Sequence, residues 1–143
     1  MDNENEIPQR VVEKMYNEDF FSQWLGIKLI ALREGYCLLQ LTIFKQMLNG
    51  FGIAHGGISY SLADSALAFA SNSYGIKSVS IETSISHTTA LKEGDIINAE
   101  ATELSRTNKI AIYNVHVTNQ LNKTVALFKG TVYVTHKEWF PKE

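Results

Sequence analysis

The chain has 143 residues, 45% of them hydrophobic and 20% charged, with a formal net charge of -2, the profile of a globular protein able to bury one sizeable core. The 13 basic and 15 acidic side chains are spread along the sequence, which leaves no basic stripe for nucleic acid or an anionic membrane, so neither partner is expected. The lone Cys37 excludes an internal disulfide and offers no zinc-ligand spacing, the start MDNENEIP has neither secretory nor transit character, and no apolar run approaches the ~18 residues of a membrane span, so cytoplasm is the expected compartment.

Residues 1–7 are expected to fray. From Pro8 onward, QRVVEKMYNEDFFSQWLG reads as one amphipathic helix: Val11, Met15 and Phe20 or Phe21 recur at helical intervals, and Pro8 and Gly26 punctuate its ends. IKLIALREG and GYCLLQLTI then predict a hairpin around Glu34-Gly35, with Cys37, Leu39, Leu41 and Ile43 on one face.

The stretch from Asn49 to Gly75, NGFGIAHGGISYSLADSALAFASNSYG, organises the rest. A glycine-punctuated loop leads through His55-Gly56-Gly57 into about five turns of helix with apolar or small residues on nearly every face. Such a helix is buried on all sides. Gly75 fits a left-handed stop. The one charge on this helix is Asp64, and an ion in apolar surroundings costs several kcal/mol unless it is paired, hydrogen-bonded or put to use.

Beyond the helix, KSVSIETSISH alternates, with Val79, Ile81, Thr83, Ile85 and His87 on one face and Ser78, Ser80, Glu82, Ser84 and Ser86 on the other. The serine face is too polar for core and suits a wet cavity. A turn at Glu93-Gly94-Asp95 leads to DIINAEATELSR, then KIAIYNVHVTN, a turn at Asn119 to Asn122, and KTVALFKGTVYVTH. Short turns between long strands predict antiparallel pairing of neighbours. With no repeat or linker, residues 1–143 are expected to form a single α+β domain, a long helix wrapped by an antiparallel sheet of five to six strands.

The head of the helix and its charge are the chemical candidates. The first backbone N–H groups of a helix lack internal partners and sit at the positive end of its dipole, and two glycines let a ligand oxygen approach them. An oxyanion site at Gly56 is one reading; glycines that merely turn the chain are the other. Asp64 is a general base or nucleophile, or else a carboxylate accepting hydrogen bonds from a neighbouring strand. Gly56 and Asp64 lie eight residues apart, about 12 Å along one helix, too far to serve one carbonyl. Two copies with antiparallel helices across a twofold axis would bring Gly56 of one against Asp64 of the other. Asn49 is a turn former in Asn-Gly, or its amide holds His55 or donates to the same carbonyl.

Other signals are weaker. Gly50-Phe51-Gly52 with Gly56 lacks dinucleotide-fingerprint spacing. His87, His116 and His136 fall on different strands without metal-ligand spacing and read as exposed or satisfied strand histidines, so no metal is expected. Ser59, Ser61 and Ser65 form no nucleophile elbow.

The pattern MLNGFGIAHGGISYSLADSALAFASNSYG, with EGDIINAEATELSR, IYNVHVTNQ and TVALFKGTVYV downstream, resembles the hotdog-fold acyl-CoA thioesterases, and among them the PaaI-like branch of phenylacetate degradation, over roughly residues 20–135. The resemblance implies a hotdog fold, hydrolysis of an aromatic, phenylacetyl-CoA-like thioester, and no cofactor, because coenzyme A belongs to the substrate. It implies Asp64 as the catalytic carboxylate, Gly56 as the donor to the thioester carbonyl, Asn49 and His55 as shapers of that pocket, and Ser80 as the residue that positions water. It also implies a homodimer with an intersubunit site, paired again into a tetramer. The phosphates of coenzyme A need cations, for which Arg106, Lys109 and Lys129 are candidates without a motif. The alternatives are a hotdog hydratase or dehydratase, which needs an acid beside its histidine, and a non-catalytic acyl-CoA binding module.

Overall fold

A helix that is apolar all round needs cover on every side, and the sheet supplies most of it. The computed structural model describes residues 6–143. The central helix, α3 (Gly56–Asn72), lies in the hollow of a six-stranded antiparallel sheet made of β1 (Lys28–Arg33), β2 (Tyr36–Thr42), β3 (Ile76–His87), β4 (Ile96–Arg106), β5 (Ile110–Thr118) and β6 (Thr124–Glu138). Leu62, Ala63, Ala66, Leu67, Phe69 and Ala70 of α3 are buried against Cys37, Leu39, Leu41, Ile97, Val115 and Phe128 of the strands. Burying each large apolar side chain of this set stabilises the fold by about 1.5–3 kcal/mol.

The predicted hairpin is β1–β2, turned at Gly35 with φ 73°. Its turn is tied to the far end of α3, since Gly35 N–H donates to Ser73 Oγ at 2.8 Å. Cys37, Leu39, Leu41 and Ile43 are all buried, as their shared face requires. Gly75 takes the expected left-handed conformation at φ 88°, two residues beyond the Ser73 C-cap of α3, and its N–H donates to Asn72 O.

Four expectations need correction. The segment from Pro8 is two helices, α1 (Glu6–Glu18) and α2 (Phe20–Leu25), because Asp19 leaves helical geometry to cap α2, accepting from Ser22 N–H at 2.9 Å. Residues 1–5 of the expected frayed terminus lie outside the described residues, while Glu6 and Ile7 belong to α1.

Of the strands after α3, β4, β5 and β6 pair antiparallel in succession as expected, but β3 does not pair with β4. β3 crosses to the outer edge and pairs with β6, while β4 pairs with β2, giving the order β1-β2-β4-β5-β6-β3. The connection 88–95 is longer than the predicted turn because it passes under the head of α3. There Leu91 is buried and accepts from Ala54 N–H at 2.8 Å, and Gly94 and Asp95 bracket Ile43 with two backbone bonds of 2.8 Å.

The even alternation along β3 is also interrupted. Its register against β6 shifts between Ser80 and Glu82, leaving Ile81 as a bulge that exchanges the two faces. Before the bulge Ser78 turns inward, bonded to Asn72 and Ser71. After it Thr83 bonds Tyr60 at 2.6 Å, and Ile85 packs on the core. Val79 and Ile81, 57% and 58% exposed, stand on this edge strand, which pairs with β6 on one side alone.

Gly130 on β6 marks where the sheet comes closest to the helix. A Cβ there would collide with the buried side chain of Leu67. Gly130→Ala is therefore predicted to lower stability by about 1–3 kcal/mol, read as a fall in the urea midpoint; an unchanged midpoint would contradict this seating of α3.

Candidate active site

The loop before α3 is built around Asn49. Its backbone N–H donates to Ile53 O at 2.7 Å, its carbonyl accepts from Gly52 N–H at 3.0 Å, and its side-chain Oδ1 accepts from Phe51 N–H at 2.9 Å. An isolated bridge between Leu48 and Ala54 closes the loop. Gly52, at φ 76°, supplies the left-handed step that the tight turn needs. Asn49 thus forms the turn with its oxygen, and its Nδ2 is left without a partner among the described residues. It does not hold His55.

His55 is the N-cap of α3: its Nδ1 accepts from Gly57 N–H at 2.9 Å. An accepting Nδ1 places the ring proton of neutral His55 on Nε2. The Gly57 donor is thereby used, while Gly56 N–H has no partner among the described residues. Gly56 and Asn49 line one cavity of about 340 Å³, together with Ser59, His87 and residues 88–91. A free backbone donor at a helix start, beside a free amide, suits a carbonyl oxygen that gains negative charge.

Asp64 lies two turns further on, in a different cavity of about 450 Å³ shared with Ser80, Ser71, Lys77, Ser78 and Trp139. No donor among the described residues reaches its carboxylate, so the hydrogen-bonded alternative is not what the chain adopts. Burial pushes its pKa upward, and the negative charge of Asp19 adds to the rise. Asp19 is placed nearby by α2, whose buried Ser22 Oγ lies 2.6 Å from Asp19 Oδ2 and 2.8 Å from the hydroxyl of Ser65, the neighbour of Asp64.

The chain therefore brings Asn49 together with Gly56, and Asp64 together with Ser80, but keeps the two pairs in separate cavities along one helix. The three candidate cations line neither cavity. The guanidinium of Arg106 stacks 3.9 Å from the Tyr74 ring centroid. Lys109 is exposed in the β4–β5 turn, and Lys129 is exposed on the outer side of β6, opposite inward Phe128 and Gly130.

Sequence reasoning missed Lys77 and Trp139 at the Asp64 cavity, where Lys77 Nζ is 5.0 Å from the Trp139 ring. It also set aside His87. This residue is exposed and satisfied, as expected of a strand histidine, but it also lines the Gly56 cavity, with Nε2 3.1 Å from both Gly56 O and Ser59 Oγ. The alternation did put His87 on one face with Thr83 and Ile85, which was the available signal.

The sequence matches the Thioesterase superfamily over residues 51–126. It is 38% identical over 116 residues to the acyl-coenzyme A thioesterase PaaI of Escherichia coli (strain K12), spanning 81% of this chain and 83% of that protein. The solved structure of the E. coli PaaI protein from the phenylacetic acid degradation operon is similar with a TM-score of 0.92 at 32% identity, over 95% of this chain and 99% of that one. A Streptococcus mutans protein solved bound to acetyl CoA is similar with a TM-score of 0.76 at 28% identity, over 78% and 90% of the two chains. By its match to the family over more than half of its length, its 38% identity to a named thioesterase and its hotdog arrangement of sheet and helix, the chain belongs to the thioesterase superfamily and is a thioester hydrolase.

Proposed function

We propose that this protein hydrolyses an acyl-CoA thioester, with an aromatic, phenylacetyl-like acyl group, to the free acid and coenzyme A. It acts as a homodimer, paired again into a tetramer, in the cytoplasm and without a cofactor. Each active site combines Gly56, Asn49 and His55 of one subunit with Asp64 and Ser80 of the other. The observation that carries this reading is the separation of the free Gly56 donor and the unpaired Asp64 carboxylate into two cavities, about 12 Å apart along α3. An antiparallel partner helix would set one against the other. The open edge of β3, with Val79 and Ile81 exposed, is suited to pairing with its symmetry mate.

In this site the thioester oxygen accepts from Gly56 N–H and from Asn49 Nδ2, which stabilise the charge that forms as the carbonyl carbon becomes tetrahedral. Asp64 takes a proton from water as the new C–O bond forms, or attacks directly to give an anhydride that water then opens; by either route the C–S bond breaks and coenzyme A leaves as thiolate. Ser80 orients the water, a role supported by its sharing one cavity with Asp64. The relative's phenylacetate context and the acetyl CoA held by a structural neighbour support the acyl-CoA substrate class. The hydratase alternative is disfavoured because it needs an acid paired with its histidine, and no carboxylate among the described residues bonds His55.

Two outcomes test the role of Asp64. In a free-thiol release assay with aromatic and aliphatic acyl-CoA substrates, Asp64→Asn should cut kcat by about 10²–10⁴-fold while substrate binding and subunit assembly persist; full activity would sink the assignment. A second outcome concerns pH. A carboxyl whose folded pKa is raised disfavours the folded state once pH exceeds its unfolded value, here 3.8. Asp64→Asn should therefore melt at a higher temperature than wild type at neutral pH, and that advantage should disappear below pH 3.8. The acid limb of kcat/KM should likewise lie above the ordinary aspartate range; a limb at or below that range would contradict the buried, unpaired carboxylate.

A further inference from the structure

The cavity that holds Asp64 continues past the carboxylate. Asp64, Leu67, Ala68, Ser71 and Asn72 all line it, and their spacing puts them on one face of α3. Along that face Asn72 stands about 12 Å from Asp64, just over two turns of helix. Ala68 and Ser71 are small, which leaves room over the helix, and Met15, Val79 and Val132 add apolar walls. Asn72 is fully engaged: its Nδ2 donates to Ala68 O and Ser78 O, and its Oδ1 accepts from Ser78 N–H and from Trp139 Nε1.

Trp139 therefore closes the end of the cavity opposite Asp64. It follows directly on β6, and three contacts fix it there. Its indole Nε1 lies 2.9 Å from Asn72 Oδ1, its backbone N–H donates to Gly75 O at 2.9 Å, and Lys77 Nζ sits 5.0 Å from its ring. The next residue, Phe140, lies 4.2 Å from the Arg10 guanidinium, which pins the tail to α1.

The cavity at Gly56 is different in kind, because Asn49, Ser59, His87, Thr88 and Thr89 give it a polar lining. A thioester carbonyl carries two arms with opposite needs, an apolar acyl group and a pantetheine chain with its amides. Where the two cavities meet at one carbonyl, the acyl arm suits the apolar one. We infer that Trp139 is the end wall of the acyl pocket: it stops an acyl group that starts at Asp64, and so selects a compact aryl acyl group over a long straight chain. This deepens the thioesterase reading above and rests on it.

The test assays phenylacetyl-, hexanoyl- and dodecanoyl-CoA by free-thiol release with wild type, Trp139→Phe, Trp139→Ala and Asp64→Asn. Wild type should favour phenylacetyl-CoA over dodecanoyl-CoA. In Trp139→Ala the kcat/KM ratio of dodecanoyl to phenylacetyl should rise about tenfold or more, while Trp139→Phe, which keeps a wall, stays within about threefold of wild type. The Gly75 bond and the Phe140 contact do not use the indole, so they hold the tail in the Ala variant. A proportional loss on all three substrates overturns the wall, since it leaves only packing as the role of Trp139. Wild type that prefers dodecanoyl-CoA overturns it too.

A second measurement keeps Trp139 in place and does not depend on how the Ala variant folds. The chain has two tryptophans, so Trp24→Phe leaves Trp139 as the sole indole. In Trp24→Phe combined with Asp64→Asn, phenylacetyl-CoA should shift the indole emission and coenzyme A alone should not. An emission unmoved at calorimetric saturation, or moved equally by both, contradicts the wall. Fully active Asp64→Asn overturns the underlying site instead, whereas inactive Asp64→Asn beside an unchanged acyl preference in Trp139→Ala overturns the wall alone.

Discussion

Asp64 occupies the middle of a helix rich in alanine, leucine and phenylalanine, and no donor among the described residues reaches it. A carboxylate in that position is half-buried without the hydrogen bonds that ordinarily offset burial, and the nearby charge of Asp19 increases the cost. Most of the molecule's polar detail around α3 can be understood from this. Ser22 and Ser65 link α2 to the flank of Asp64 and fix Asp19 nearby. Ser78 and Ser80 face the same cavity because the Ile81 bulge ends their inward run. A group so placed contributes little to stability, which makes sense if its value lies in chemistry at a raised pKa.

The head of the same helix shows the complementary condition. His55 uses one donor of the first turn, the Asn49 loop satisfies itself through Oδ1, and what remains free is Gly56 N–H and Asn49 Nδ2. The free base and the free donors are thus complementary in role and separated in space. Strand β3 connects them: its first half supplies Ser80 beside Asp64, and its second half carries His87 back to Gly56. In the proposed dimer this strand is also the joining edge, so assembly and active-site geometry would be set by one element.

Features governed by local chemistry were legible in the sequence. The β1–β2 hairpin followed from period-two burial and the Gly35 turn, and α3 from its small apolar run between glycines. The eight-residue spacing of Gly56 and Asp64 already implied that they lie apart on one helix, as their separate cavities show. Features that depend on distant partners were not legible. Asp19 looked like one more polar residue in an amphipathic helix, because its capping role depends on the Ser22 amide. The crossing of β3 to the far edge is decided by β2 and β4 pairing with each other. The bulge at Ile81 leaves the alternation of the sequence intact while exchanging the two faces, which is why Ser78 and Thr83, read as opposite, both turn toward α3. Arg106, Lys109 and Lys129 were chosen by charge alone, and charge alone does not say that a guanidinium lies over Tyr74.

The central claim is that donor and base come from different subunits, and mixed dimers test it most directly. Gly56→Pro removes the donor itself at a helix position that tolerates proline, and Asp64→Asn removes the base. Each variant alone should be inactive, yet a dimer containing one copy of each holds one site with both groups intact. Equal mixing during folding is predicted to restore about a quarter of wild-type activity, since half the dimers are mixed and one of their two sites is complete. Mixed dimers as inactive as their parents would show that each chain supplies a whole site, contradicting a shared one.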